Sequence, residues 1–154
     1  MSETIFLKCK NNNVSGTIAF PASKSISNRT LIIQALCDKK FKIENLSLSD
    51  DTQILQSLLK STDELLNAGE GGTTFRFLLA YLALKGKPLT ITGSERLLQR
   101  PVQPMIDSLN NLGAKIEWIE LDGSAALKIK ESKLMCGEFE IEASTSSTLG
   151  RKDA

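Results

Sequence analysis

Segments with strand-like alternation and segments with helical periodicity follow one another along this chain, and their order limits the possible folds more than any other feature. In the strand-like segments apolar and polar residues alternate, whereas in the helical ones apolar residues recur every three or four positions. The predicted strands cover residues 4–10, 14–19, 41–46, 88–92, 114–118, 127–129 and 138–141, and the predicted helices cover residues 25–37, 51–59, 73–83 and 102–112. Alternating strands and helices predict an α/β fold.

The helix over residues 102–112 has the clearest signals. Pro101 precedes it and Gly113 follows it, as is typical of the two ends of a helix. Its apolar stripe consists of Val102, Met105, Ile106, Leu109 and Leu112. Further along the chain, Asp122-Gly123 predicts a tight turn between two strands.

The residue types present exclude several kinds of chemistry. The 154 residues include no histidine, which excludes Ser-His-Asp and Cys-His catalysis and all histidine-based metal sites. Cys9, Cys37 and Cys136 form no Cys-x-x-Cys pair, and we predict that they are free thiols packed as small apolar groups. With 19 basic and 18 acidic residues the net charge is +1, so no general attraction to nucleic acid or to an anionic membrane is expected.

Length and apolar runs predict one domain that does not span a membrane. A chain of 154 residues is long enough for one hydrophobic core. Its longest apolar run covers residues 77–84, and a membrane span needs about 18–20 apolar residues. The opening Met-Ser-Glu-Thr has neither the basic start nor the apolar centre of a secretory signal, so we expect a cytoplasmic location.

Three junctions place basic or small polar residues where a predicted strand is followed by a helix. At the first junction, residues 21–25, Ser25 and Arg29 share one face of the helix and Lys24 lies at its N-terminal end. Free N–H groups and the helix dipole attract anions there. The alternative is a serine that caps the helix beside two solvated cations.

The other two junctions are residues 69–76 and residues 92–101. Glycines in the first of these let the backbone approach a ligand, although a glycine-rich loop can also be a simple turn. In the second, Arg100 precedes the proline that opens a helix, where its guanidinium can meet an anion or pair with Glu95. Three such junctions suggest a site for a small, multiply charged anion.

Six segments of the chain form a set that occurs in a fixed order. They are residues 21–29 (PASKSISNR), 49–51 (SDD), 71–78 (GGTTFRFL), 92–101 (TGSERLLQRP), 112–116 (LGAKI) and 146–147 (SS). Together they resemble the family of 5-enolpyruvylshikimate-3-phosphate synthases, carboxyvinyl transferases of the shikimate pathway. The related UDP-N-acetylglucosamine enolpyruvyl transferases usually have Lys-Asn where this chain has Lys24-Ser25, so the resemblance favours the shikimate family.

The resemblance implies an activity and a set of site residues. The activity is transfer of the enolpyruvyl group from phosphoenolpyruvate to the 5-hydroxyl of shikimate 3-phosphate, with release of phosphate, in aromatic amino-acid (chorismate) biosynthesis. Lys24 would be catalytic and would contact both substrates. The other contacts would be Ser25, Arg29, Ser146 and Ser147 for shikimate 3-phosphate, and Gly72 and Arg100 for phosphoenolpyruvate. The resemblance implies neither a metal nor an organic cofactor.

Three departures from the family pattern concern the site. Glu70 stands where the family commonly has Asn, so its part in the pocket is an open question. The stretch between Asp51 and Gly69 is short, and a strand present in many relatives is expected to be missing there. Thr148 follows the Ser-Ser pair in place of a Gln that touches both ligands, and we do not transfer the role of that Gln to it.

The resemblance also implies repeated βαβαββ units in two domains, with the active site between them and about two units in this chain. We expect residues 1–13 to form a strand that packs with the other domain, residues 14–148 to form the substrate-binding portion, and residues 149–154 to be a truncated polar tail. The family's main acid/base residues lie in a further C-terminal portion, which is the expected partner of this otherwise monomeric chain. The alternative is a stand-alone, non-catalytic module that binds phosphorylated ligands, and the extent of the reading frame beyond Ala154 would distinguish the two.

Overall fold

The computed structural model describes residues 15–39 and 41–135. In chain order the elements are α1 (Lys24–Leu36), α2 (Asp50–Leu58), β1 (Leu65–Asn67), α3 (Gly72–Lys85), β2 (Leu89–Thr92), α4 (Glu95–Leu98), α5 (Gln103–Asn111), β3 (Ile116–Leu121) and β4 (Ser124–Ile129). The predicted α/β fold is confirmed. The four longer helices lie where the apolar periodicity predicts them, within three residues at each end.

The four strands form one mixed sheet in the order β1-β2-β4-β3. β1 and β2 are parallel, and α3 supplies the crossover that a parallel pair requires. The pairs β2–β4 and β4–β3 are antiparallel. Both parallel strands therefore end at the same edge of the sheet, where the loops that follow them lie side by side.

The turn between β3 and β4 confirms the prediction made for Asp122-Gly123. Asp122 has φ 50° and Gly123 has φ 76°, so both central residues are left-handed, as a two-residue hairpin turn of the favoured hand requires. The register continues away from the turn, with Leu121 opposite Ser124 and Trp118 opposite Leu127.

The hydrophobic core brings together the sheet and α3. Leu66, Ile91 and Leu127 lie opposite one another on three adjacent strands, and all three are buried. Leu78 and Leu79 of α3 are fully buried as well. This packing holds α3 firmly against the sheet and thereby fixes the position of its N-terminus.

Two predicted strands are wrong for the residues that the structure describes. Residues 15–19 and 41–46 form neither helix nor strand. A strand needs a neighbour for its backbone hydrogen bonds, and no described strand lies alongside either segment. The apolar side chains of Ile18 and Phe20 are largely exposed.

The sequence analysis also missed two elements. β1 lies between Asp51 and Gly69, where no strand was predicted and one was expected to be missing, and it is only three residues long. α4 is a single turn capped by Ser94, whose side-chain oxygen accepts a hydrogen bond from the Leu97 N–H. Elements this short carry too little periodicity to be detected.

Several predictions lie outside the described residues. These are the strands at 4–10 and 138–141, the segments 1–13 and 149–154, Cys9, Cys136, Ser146, Ser147 and Thr148. Cys37 is described, and it is a free, half-buried thiol. Across residues 15–39 and 41–135, no helix has the length and apolar character needed to cross a membrane.

Candidate anion-binding site

The N-termini of α1, α2 and α3 converge at one place. Ser23 caps α1, and the next residue, Lys24, donates from Nζ to Asp51 Oδ2 at 2.8 Å. Asp51 lies in the first turn of α2, and its backbone carbonyl accepts a hydrogen bond of 3.0 Å from Thr74 Oγ1 in the first turn of α3. Because each helix start leaves backbone N–H groups free and carries partial positive charge, their convergence favours an anion.

The two loops that follow the parallel strands β1 and β2 lie side by side at this site. Ala68 N–H, just after β1, donates to the Thr92 carbonyl at 2.9 Å, and Ser94 N–H donates to the Gly69 carbonyl at 2.8 Å. One loop leads into α3 and the other into α4 and then Arg100. Two segments that are far apart in the sequence thereby become neighbours at the carboxyl edge of the sheet.

Gly72 and Arg100, which the family resemblance assigns to one pocket, are in close proximity. A Cβ at position 72 would lie 2.7 Å from Arg100 Nη1, which is closer than two such atoms can approach. Only a glycine lets this guanidinium lie over the start of α3. Glu95, the alternative partner of Arg100, accepts instead from Gln99 Nε2 at 3.3 Å.

Arg76 is a further cation that the sequence analysis quoted within a motif but gave no role. Its Nη2 donates to the Pro101 carbonyl at 3.0 Å, and its Nη1 lies 3.8 Å from the Cβ position of residue 72. Neither Arg76 nor Arg100 forms a salt bridge with a carboxylate of the described residues. The sequence signal that could have identified Arg76 is its spacing from Gly72, since it lies one helical turn further along α3.

Ser25 and Arg29 occupy the same face of α1, as predicted. Arg29 Nη1 donates to the Ser25 carbonyl at 3.0 Å, and its guanidinium lies 5.5 Å from the centre of the Phe77 ring on α3. The alternative interpretation of this junction was a capping serine beside two solvated cations. A serine does cap α1, but it is Ser23, and Lys24 forms an ion pair with Asp51. The first junction is therefore more than a capped helix with solvated cations.

Asp51 is, with Arg76, a residue at this site to which the sequence analysis gave no role. Acidic residues in the first turn of a helix are common, since they complement the dipole, so the motif gave no reason to single it out. In the structure its carboxylate fixes Lys24, and its Oδ1 lies 3.0 Å from the Cβ position of Gly71. The site thus combines four cations, Lys24, Arg29, Arg76 and Arg100, with one acidic group that orients the first of them.

The arrangement suits a ligand with concentrated negative charge. Within the described part of the chain, no group of three or more Cys, Asp or Glu residues is placed to hold a metal ion. Cations, helix N-termini and hydroxyls are available to hold phosphate or carboxylate groups. The fold and the site define an α/β chain whose candidate site, at the carboxyl edge of its sheet, is suited to a small anion.

Comparison with known proteins identifies the family. The sequence model of the EPSP synthase family (3-phosphoshikimate 1-carboxyvinyltransferase) matches residues 9–62 and 53–152, which together are most of the chain. The chain therefore belongs to the EPSP synthase family, and the resemblance drawn from its motifs is confirmed.

Curated relatives agree with this assignment. The chain is 41% identical over 136 residues to the 3-phosphoshikimate 1-carboxyvinyltransferase of Bacteroides fragilis, covering 88% of this chain and 33% of that protein. It is 34% identical to the enzyme of the same name from Haemophilus ducreyi, covering 87% of this chain and 38% of that protein. The chain spans about a third of the length of these relatives.

A solved structure supports the fold. The EPSP synthase of Acinetobacter baumannii superposes with a TM-score of 0.66 at 18% identity, over 77% of this chain and 33% of that one. At this identity the match supports the shared fold alone. It agrees with the predicted enolpyruvyl transferase architecture.

Proposed function

We propose that the protein to which this chain belongs transfers the enolpyruvyl group of phosphoenolpyruvate to the 5-hydroxyl of shikimate 3-phosphate. In this reaction the hydroxyl oxygen loses its proton and bonds to the enol carbon while the methylene carbon gains a proton. The methyl group so formed then loses a proton as the bond from carbon to the phosphate oxygen breaks, which re-forms the vinyl double bond and releases inorganic phosphate. The observation that carries the proposal is the convergence of Lys24, Gly72 and Arg100 at three helix N-termini. Two polyanions that must meet need such fixed positive charge.

We assign the substrates to different parts of the site. Shikimate 3-phosphate binds at the start of α1, where Ser25 and Arg29 share a face, and Ser146 and Ser147 hold its phosphate. Phosphoenolpyruvate binds at the start of α3, where Arg100 crosses Gly72. Lys24 lies between the two and is the catalytic residue of this half of the site, because its ammonium group can stabilise charge on both ligands.

The remainder of the active site belongs to a C-terminal portion that packs with this chain. The curated relatives are about three times as long, which supports this proposal. By this proposal residues 14–148 form a substrate-binding portion, residues 1–13 pack with the other domain, and residues 149–154 are a polar tail. We further propose a cytoplasmic, monomeric enzyme of chorismate biosynthesis.

Binding without turnover is the test of the proposed function. Calorimetry should show weak binding of shikimate 3-phosphate to this chain and weaker binding of shikimate, which lacks the phosphate. Lys24→Ala or Arg29→Ala removes a charge-assisted contact worth about 1.5–3 kcal/mol, so affinity should fall by about one to two powers of ten. Lys87→Ala is the matched control, since Lys87 is exposed and lies beyond the C-terminal end of α3.

A phosphate-release assay completes the test. With both substrates, this chain alone should release no phosphate, because the groups that close the site and exclude water are absent. Robust turnover by this chain alone would contradict the division of the site. Equal affinity for shikimate 3-phosphate and shikimate would contradict the assignment of the first ligand.

A further inference from the structure

The N-terminal half of α1 is anchored by polar contacts. The buried residues of α1 are Ser27, Asn28 and Leu31, and only the last is apolar. Ile26, the one large apolar residue before Asn28, is 68% exposed. The half-helix that carries Lys24, Ser25 and Arg29 therefore depends on hydrogen bonds for its placement.

These hydrogen bonds form a chain of hydroxyl groups between α1 and α2. Thr52 Oγ1 donates to Asn28 Oδ1 at 2.7 Å, and Ser49 Oγ lies 3.0 Å from Thr52 Oγ1. Ser47 Oγ donates to Ser49 Oγ at 3.2 Å, and Ser47 N–H donates to Ser27 Oγ at 2.9 Å, which returns to α1. We call these five residues the hydroxyl network.

The proton count gives the network one direction. A hydroxyl has a single proton, and that of Thr52 is given to Asn28. The contact between Ser49 and Thr52 must then use the Ser49 proton. Each hydroxyl in the series Ser47, Ser49, Thr52 thus donates to the next one, and such aligned chains strengthen their members.

The two innermost members are fully enclosed. Asn28 is 0% and Thr52 is 1% exposed, and the Asn28 side-chain Nδ2 has no partner among the described residues. A buried amide that uses only part of its hydrogen-bonding capacity is a costly way to fill a core. Apolar residues of similar size would pack this space with less penalty, so stability alone does not account for the pair.

The network lies directly below the site. Asn28 is one helical turn after Lys24, and Thr52 is next to Asp51 in the sequence. The buried hydrogen bond from Thr52 to Asn28 and the ion pair from Lys24 to Asp51 therefore join the same two helices, α1 and α2, at neighbouring positions. A hydrogen bond fixes rotation as well as distance, because its strength falls steeply with angle. Apolar contact would allow α1 to slide or turn against α2.

We propose that Asn28 and Thr52 are positioning residues for the shikimate 3-phosphate half of the site. They set the rotation and height of the first turns of α1 against α2, so that Lys24, Ser25 and Arg29 face one ligand together. This inference rests on the proposed function for the identity of the ligand. Neither residue needs to touch that ligand.

The decisive variant is the double substitution Asn28→Leu with Thr52→Val. Because both partners are replaced together, neither buried member of the Asn28–Thr52 pair is left unpaired, and the Ser49 hydroxyl that loses its acceptor is only half-buried and can bond to water. Thermal stability should therefore stay close to that of the original chain. Affinity for shikimate 3-phosphate should nevertheless fall by about tenfold or more, since small misplacements of positioned groups cost up to about a hundredfold. Thr52→Ser keeps the donor and should retain the original affinity.

Calorimetry at a temperature well below unfolding measures the affinities, with Ile91→Val as the control. Ile91 is fully buried on β2, so its truncation lowers stability without touching α1. Tenfold weaker binding by the double variant, with unchanged binding by Thr52→Ser and Ile91→Val, is the expected result. Binding by the double variant equal to that of the original chain would overturn the positioning role.

Residual dipolar couplings of the α1 and α2 amides measure the orientation of α1 relative to α2. They distinguish failure of the positioning role from failure of the proposed function. If the original chain binds no shikimate 3-phosphate, the proposed ligand is wrong. In that case a reoriented α1 in the double variant still supports positioning by Asn28 and Thr52, and an unchanged α1 overturns it. If the double variant fails to fold, the affinities of the single variants Thr52→Val and Thr52→Ser for shikimate 3-phosphate are compared instead.

Discussion

Replacing Gly72 with alanine separates binding from folding at the start of α3. The new Cβ would lie 2.7 Å from Arg100 Nη1, and the next atoms, Arg100 Cζ and Arg76 Nη1, are both 3.8 Å away. The overlap therefore involves only the far end of a flexible side chain. Arg100 can relieve it by swinging away, because its side chain is exposed and forms no salt bridge with a described carboxylate.

The expected effect on stability is small. Alanine is favoured over glycine within helices by up to about 1 kcal/mol, and position 72 is the first residue of α3. This gain offsets the cost of moving Arg100, so the free energy of unfolding should change by less than about 1 kcal/mol. Urea titration followed by circular dichroism measures it.

The expected effect on binding is large. Moving Arg100 removes a charge-assisted contact worth about 1.5–3 kcal/mol, which is about one to two powers of ten in affinity for phosphoenolpyruvate. Nuclear magnetic resonance titration of the chain saturated with shikimate 3-phosphate measures this affinity. Gly16→Ala is the control, since a Cβ there meets nothing within 4 Å. Phosphoenolpyruvate affinity of Gly72→Ala equal to that of the original chain would refute the role given to Arg100.

Two further predictions concern stability, each measured by urea titration. Ile106→Ala should lower the free energy of unfolding by about 2–5 kcal/mol because Ile106 is 1% exposed, and Leu109→Ala should lower it less because Leu109 is half-buried. Arg100→Ala should change it by no more than about 0.5 kcal/mol, and equal losses for all three variants would contradict the division between core and site. Gly86→Ala should cost more than about 1–2 kcal/mol, since Gly86 has φ 63° and an added Cβ would overlap the Ser132 carbonyl oxygen; an unchanged midpoint would show that the C-terminal end of α3 can shift.

Local signals in the sequence determined the helices and the tight turn. Pro101 and Gly113 bracket the stripe that becomes α5, and Asp122-Gly123 forms the turn that its residue types favour. These features depend on side chains within a few positions of one another. The motif set, read in order, was also sufficient to identify the family, because each motif is recognised from the residue types of one short segment.

Strands depend on partners that are distant in the sequence, and there the predictions were less accurate. Residues 15–19 and 41–46 have strand-like patterns but no described neighbour to bond with. β1 has little pattern of its own and exists because Leu65–Asn67 pairs with residues 90–92 of β2. Backbone pairing decides which extended segments become strands, and a single segment does not reveal its partner.

The site was predicted residue by residue, but its geometry was decided by the tertiary structure. Lys24, Gly72 and Arg100 were all singled out from the sequence, whereas the ion pair from Lys24 to Asp51 and the crossing of Arg100 over Gly72 were not. These contacts arise because parallel β1 and β2 end at one edge and because buried hydrogen bonds join α1 to α2. Helix periodicity is local, but the meeting of three helix N-termini depends on packing between segments that are far apart in the chain.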